Sequence, residues 1–192
     1  KPPGPYSVSQ FSDDISQLML ALGIPSFNVL GISMGGMVAY QLAVNFPQRV
    51  ERLVAANCAP ELLVRSVRER LIVWQRELIV RLIGMRKMGE VLSAQLFIKP
   101  EQDELRRIFV ERWAENDKHA YLASMRALLG WSVVDKLDRL TMPVLVISAD
   151  EDYAFIGDKA AYLEKTPNAS MVVMDDSRHA TPAEHPGKFN RV

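Results

Sequence analysis

The sequence has a single cysteine, no surplus of either charge and no long apolar run, and each shortage removes a class of explanation. Cys58 is the only cysteine in 192 residues, which leaves no intrachain disulfide and no cysteine-based metal cluster. A reducing, cytoplasmic setting is the resulting expectation. Basic and acidic residues number 23 each and are mixed along the chain, for a formal net charge of zero. That balance gives no electrostatic footing for nucleic acid or for an anionic membrane. No apolar stretch reaches the roughly 20 residues of a membrane-spanning helix. Internal repeats and low-complexity segments are missing too. The opening Lys1-Pro2-Pro3-Gly4-Pro5-Tyr6 has neither the charged nor the apolar region of a signal peptide and reads as the end of a loop.

What is present begins with the stretch Asn28-Val29-Leu30-Gly31-Ile32-Ser33-Met34-Gly35-Gly36-Met37-Val38. An apolar run, Phe27 to Ile32, meets a serine framed by glycines, and a helical pattern starts at once. In a turn that tight a side chain at Gly31 or Gly35 is expected to collide with the strand or helix backbone. Ser33 would then stand at the strand's end, with the Met34 N–H at the positive end of the next helix. A glycine-rich strand-to-helix turn is also a plain packing solution. Two phosphate-cradle readings fail on residue type: G-x-G-x-x-G needs glycine at Ser33, and a P-loop needs Lys-Ser/Thr where Met37-Val38 stand. The pattern Gly31-Ile32-Ser33-Met34-Gly35-Gly36 resembles the G-x-S-x-G-G nucleophile elbow of the α/β-hydrolase superfamily, in the form common among its esterases and lactonases.

Around that turn the sequence reads as an α/β protein. Ser7 and Gln10 suggest a capping box, after which Phe11, Ile15, Leu18, Met19 and Leu22 share one helical face that Gly23 can end. Strand 27–32, helix 34–46 and strand 50–56 follow, an order that implies a parallel sheet. From about residue 61 to residue 139 amphipathic helices run without a strand: roughly 61–88 with a break near Gly84, 89–97, 101–115 starting after Pro100, 117–129 and 132–139. Trp74, Leu78, Phe97, Phe109, Trp113, Met125 and Trp131 are candidates for a pocket, although core is the commoner fate of such residues taken singly. Strand 143–148, helix 157–165, strand 170–174 and a last helix opening at Pro186 complete the chain.

A serine hydroxyl needs a base to activate it and a carboxylate to orient that base. Both occur just past strands: Asp150-Glu151-Asp152 after 143–148, and Asp175-Asp176-Ser177-Arg178-His179 after 170–174. In parallel sheets functional groups gather beyond the strands' carboxyl ends. His119, inside the helical run, and His185, beside Pro186, are less well placed than His179.

The resemblance extends to these segments. Its order of serine, acid and histidine is the order here, and His179-Ala180-Thr181-Pro182-Ala183-Glu184-His185-Pro186-Gly187-Lys188-Phe189 resembles its histidine loop. Its G-x-x-D pattern falls on Ala149-Asp150-Glu151-Asp152 and selects Asp152, with Asp150 as the alternative. Ala149, Arg178 and Tyr153 depart from the glycine, glycine and proline usual at those places; Arg178 either lowers the basicity of His179 by like charge or points away.

By resemblance, then, Ser33 is the nucleophile, His179 the base, Asp152 its orienter and the Met34 N–H an oxyanion donor. The core comprises 1–60 and 140–192, and 61–139 is a helical cap over the active site. A second oxyanion donor, often in an His-Gly loop upstream of the elbow, has no counterpart between Lys1 and Ser33. In that superfamily the elbow follows several strands, and here it arrives by residue 33, so by resemblance the chain is expected to begin part-way through its domain, with an apolar sheet edge prone to association into homo-oligomers. Implied substrates are small carboxylic esters or lactones, with C–C bond hydrolysis or a non-catalytic ligand-binding role as alternatives. No cofactor or metal is implied, and a serine at the elbow argues against epoxide hydrolase and haloalkane dehalogenase chemistry.

Overall fold

Four strands, β1 (Phe27–Ile32), β2 (Val50–Ala56), β3 (Val144–Ala149) and β4 (Ala169–Met174), form one sheet in the order β1-β2-β3-β4. This computed structural model describes residues 2, 4–152 and 159–192. All three neighbouring pairs are parallel, in registers that include Gly31↔Ala55, Ala55↔Val146 and Val146↔Met171. β1 and β2 have the boundaries read from sequence; β3 and β4 differ by a residue at one or both ends. Short, β-branched-rich runs between turn residues leave little other choice of structure.

Helices lie on both sides of the sheet. α1 (Val8–Ala21) and α2 (Met34–Asn45) pack against each other, and α2 lies on β1 and β2. α2 is buried from Gly36 to Val44 and, with Leu53, Val144, Val146 and Leu140, makes the main core. The Ser7 hydroxyl caps α1 by accepting the Gln10 N–H at 3.0 Å.

Only part of the apolar face of α1 turns to the core: Phe11, Ile15 and Met19 are half-buried, Ile15 against the main core. Leu18 and Leu22 are 57% and 62% exposed, whereas Val8, Ser12 and Ser16 face inward. Small hydroxyl residues let α1 come close to α2, and their polar atoms are satisfied there: Ser12 donates to the Ser9 carbonyl and accepts from Asn45, and Ser16 accepts from the buried Arg49 through its hydroxyl and its carbonyl. Arg49 also donates to the carbonyls of Pro25 and Ile24 and lies over the Phe27 ring. A cation bonded through all three of its nitrogens thus holds the loop before β1.

Between β2 and β3 come α3 (Val67–Leu82), α4 (Met85–Leu96), α5 (Asp103–Ala114) and α6 (Lys118–Leu128), with 3-10 turns at Pro100–Gln102 and Val134–Arg139. The expected break falls at Gly84, whose φ of 111° caps α4. The expected helix from residue 61 starts later: a Ser66–Glu69 capping box opens α3, and Glu61 instead bridges Ser132. Two further backbone bonds lie nearby, Leu62 N–H to Trp131 O at 2.8 Å and Gly130 N–H to Leu62 O at 2.9 Å. The helical run therefore leaves and rejoins the sheet through one narrow neck.

This run has its own core of Val80, Met85, Met88, Leu92 and Leu122, edged by the Phe97, Phe109, Trp113 and Tyr121 rings. Trp131 belongs to the main core, where its indole N–H donates to Gln41 at 2.7 Å. Trp74, at 60% exposed, and Leu78 face solvent on α3 with Val67, Leu71 and Leu82. After β3, α7 (Lys159–Glu164) covers part of the expected helix 157–165, whose residues 157 and 158 lie outside the described residues. After β4 come α8 (Thr181–Glu184) and α9 (Pro186–Phe189).

Candidate active site

Ser33 sits between β1 and α2 with φ 54° and ψ −120°, a left-handed conformation rare for a residue with a side chain. Its N–H is tied to the Ala56 carbonyl at 2.9 Å. The glycines around it divide the work differently from the sequence expectation. A Cβ at Gly31 would overlap the Gly35 carbonyl, as expected, but a Cβ at Gly35 would meet nothing within 4 Å. The second crowded position is Gly36, where a Cβ would strike the Cys58 sulfur. α2 thus presses its first turn onto β1 at Gly31 and onto Cys58 at Gly36, and the serine is lifted to the sheet's rim.

His179 follows β4 and Asp152 follows β3. The His179 Nδ1 lies 2.9 and 3.0 Å from the two Asp152 oxygens, and its Nε2 lies 2.8 Å from the Ser33 Oγ. An ionised carboxylate only accepts, so Nδ1 carries the proton, and Nε2 is left to accept from the serine hydroxyl. The Asp152 and His179 side chains are 4% and 14% exposed, which keeps water from competing for these bonds. Met34 is the first residue of α2, so its N–H is among those without a partner inside that helix.

The other acids have different partners. Asp150 accepts the N–H groups of Ser177 at 3.0 Å and Asp176 at 3.1 Å. These bonds, the Ser177 N–H foremost, hold its carboxyl below the usual aspartate range. Glu151 pairs with Arg178 at 3.3 Å. Arg178 also donates to the Gln95 carbonyl at 3.1 Å, at the end of α4, so its charge is turned to Glu151 and the helical run. Lys99 adds a second tie, to Asp176, at 2.5 Å. His185 donates to the Asp176 carbonyl, and His119 lines a separate cavity of about 290 Å³ with Arg81, Lys118 and Arg126. Tyr153 lies outside the described residues.

The sequence reading missed Asn57, which follows β2 at the same rim, is 1% exposed and bonds to both the β3 end and the histidine loop. Its place after a strand was the available signal. Among the described residues no group of three or more His, Cys, Asp or Glu is arranged to hold a metal ion, and no helix is long and apolar enough to cross a membrane.

Residues 1–186 match the family model of the alpha/beta hydrolase fold. The chain belongs to the alpha/beta hydrolase fold family. Within this family it is 28% identical, over all of its length and 71% of the relative's, to 3-oxoadipate enol-lactonase 2 of Acinetobacter baylyi. It is 27% identical, over 99% of its length and 69% of the relative's, to a putative carbamate hydrolase of Yersinia enterocolitica. The crystal structure of the enol-lactonase from Burkholderia xenovorans superposes with a TM-score of 0.88 at 23% identity, covering 99% of this chain and 72% of that one. In this chain Ser33, His179 and Asp152 come together just past the carboxyl ends of β1, β4 and β3.

Proposed function

We propose that the chain carries the nucleophile, base and orienting acid of a serine hydrolase acting on small carboxylic esters or lactones. The observation that carries this reading is the unbroken run of hydrogen bonds from Asp152 through His179 to the Ser33 hydroxyl. As the Ser33 oxygen attacks the acyl carbon, its proton passes to His179 Nε2, and Asp152 steadies the imidazolium. The carbonyl oxygen becomes an oxyanion beside the Met34 N–H, where the N-terminal end of α2 favours negative charge. His179 then returns the proton to the departing alkoxide, leaving an acyl-serine that water hydrolyses by the same steps in reverse. In a lactone the alkoxide stays tethered to the acyl group, so ring opening and hydrolysis yield one hydroxy acid.

The relatives' names support an acyl centre activated by an adjacent oxygen or nitrogen: one is an enol-lactonase, the other a putative carbamate hydrolase. Residues 61–139 act in this reading as a cap, since Arg178 and Lys99 bind the helical run to the histidine loop. The test is labelling with a fluorophosphonate. The expected outcome is one modified residue, Ser33, with labelling abolished in Ser33→Ala and cut at least about 100-fold in His179→Ala. A folded protein that leaves the probe untouched would refute the proposal.

A further inference from the structure

We infer that Asn57 is a positioning residue that fixes the distance between the acid-bearing and histidine-bearing loops. The inference rests on the serine hydrolase reading and adds to it a residue outside the reacting set. One buried amide reaches both loops. Its Oδ1 accepts the Ala149 N–H at 2.8 Å, at the end of β3 and three residues before Asp152. Its Nδ2 donates to the carbonyl of His179 itself at 2.9 Å and to the Thr181 hydroxyl at 2.7 Å. A backbone N–H faces one side of the amide and a backbone carbonyl the other, so its orientation is forced.

The backbone of Asn57 serves the same end. Its N–H continues the ladder to Ile147 at 2.9 Å, and its φ of 49° turns the chain so that the side chain points back across the sheet's rim. Asparagine tolerates this left-handed conformation better than most residues. The carbonyl held by Nδ2 belongs to the residue whose imidazole must meet Asp152, so a shift in one loop is carried directly into the Nδ1–carboxylate contact.

Three variants follow. Asn57→Gly keeps the turn, because glycine adopts a positive φ freely, and removes the side-chain bonds. Asn57→Asp keeps an acceptor for Ala149 N–H but sets a carboxylate against the His179 carbonyl. Burial raises the affinity of that new carboxyl for a proton, and once protonated it offers one acceptor and one donor, as the amide does. Asn57→Ser is a milder truncation for use if either other variant is recovered in low yield.

The assay is hydrolysis of p-nitrophenyl acetate, with active sites counted by fluorophosphonate titration, so that kcat is expressed per competent serine. Asn57→Gly and Asn57→Asp are expected to lower kcat per site by about 10- to 100-fold at about pH 8, with KM within about twofold of the parent. The ratio of Asn57→Asp to parent should climb as pH is lowered towards about 5, while the ratio for Asn57→Gly stays flat. If the variants lose titratable sites but each remaining site turns over at the parent rate, Asn57 only supports the fold and the inference is overturned. An Asn57→Asp defect that does not recover at low pH overturns it as well. Should the parent neither label nor turn over, the hydrolase reading itself has failed and takes the inference with it; that result is seen before any variant is made.

Discussion

Asp150 and Asp152 are the same residue type two positions apart, and their surroundings separate them. Asp150 spends both oxygens on the N–H groups of Asp176 and Ser177, bracing the turn before the histidine. Asp152 gives its oxygens to His179. Asp152→Asn should therefore cut turnover on the order of 10³- to 10⁴-fold with little change in stability, because the amide can donate to Nδ1 and favour the wrong tautomer. Asp150→Asn should leave turnover within about tenfold of the parent and act on stability instead. Because the carboxyl of Asp150 is held below its ordinary value, its contribution is complete above the unfolded-state value of about 4 and is lost as pH falls through the lower folded-state value. Thermal melts should accordingly show Asp150→Asn below the parent at pH 7, the gap closing as pH drops below about 4. Apart from a family spacing nothing in the sequence ranks these two acids, since which N–H groups face which carboxylate depends on how two loops meet whose contacting residues lie 26 or 27 positions apart in the chain.

At the scale of elements, the strand–turn–helix at residues 27–45 was legible because each local signal agreed: an apolar run, a glycine-framed serine and a stop at Pro47. The distribution of crowding within it was not legible, because Gly36 is crowded by Cys58, which comes from beyond the next strand. Gly31→Ala should destabilise the protein by about 3 kcal/mol or more, as the new methyl must displace the Gly35 backbone. Gly35→Ala should be neutral or stabilising by up to about 1 kcal/mol, because its site is open and helical. Urea unfolding of the two variants checks the contrast. α1 teaches a related lesson. Its apolar spacing put Leu18 and Leu22 on one face with Phe11, Ile15 and Met19, but only those last three are half-buried, and the innermost line is Ser12 and Ser16, which meet α2 and the buried Arg49. Periodicity reports where apolar side chains recur and is blind to a partner that needs hydroxyls.

For the whole molecule, the parallel sheet and the order of the site residues were readable, since both follow from strand patterns and what comes directly after them. The arrangement of the helical run was less so: its inner core and its solvent-facing Trp74 carry similar spacing, and only the packing of α3 on α4 and α6 decides between them. Its attachment is simpler than its interior. Glu61 and Ser132 are bridged and their neighbours bonded, so the two ends of a 70-residue excursion stay side by side. Replacing residues 63–129 with a short glycine-serine linker should leave a cooperatively unfolding sheet, because the neck already brings the linker's ends together. A broad, non-cooperative melt by circular dichroism would contradict this. The same neck makes the excursion a cassette: recombination at two adjoining points can exchange one helical run for another while Ser33, Asp152 and His179, all encoded outside it, keep their places. Diversification of such a chain can thus proceed by exchange of parts as well as by point substitution.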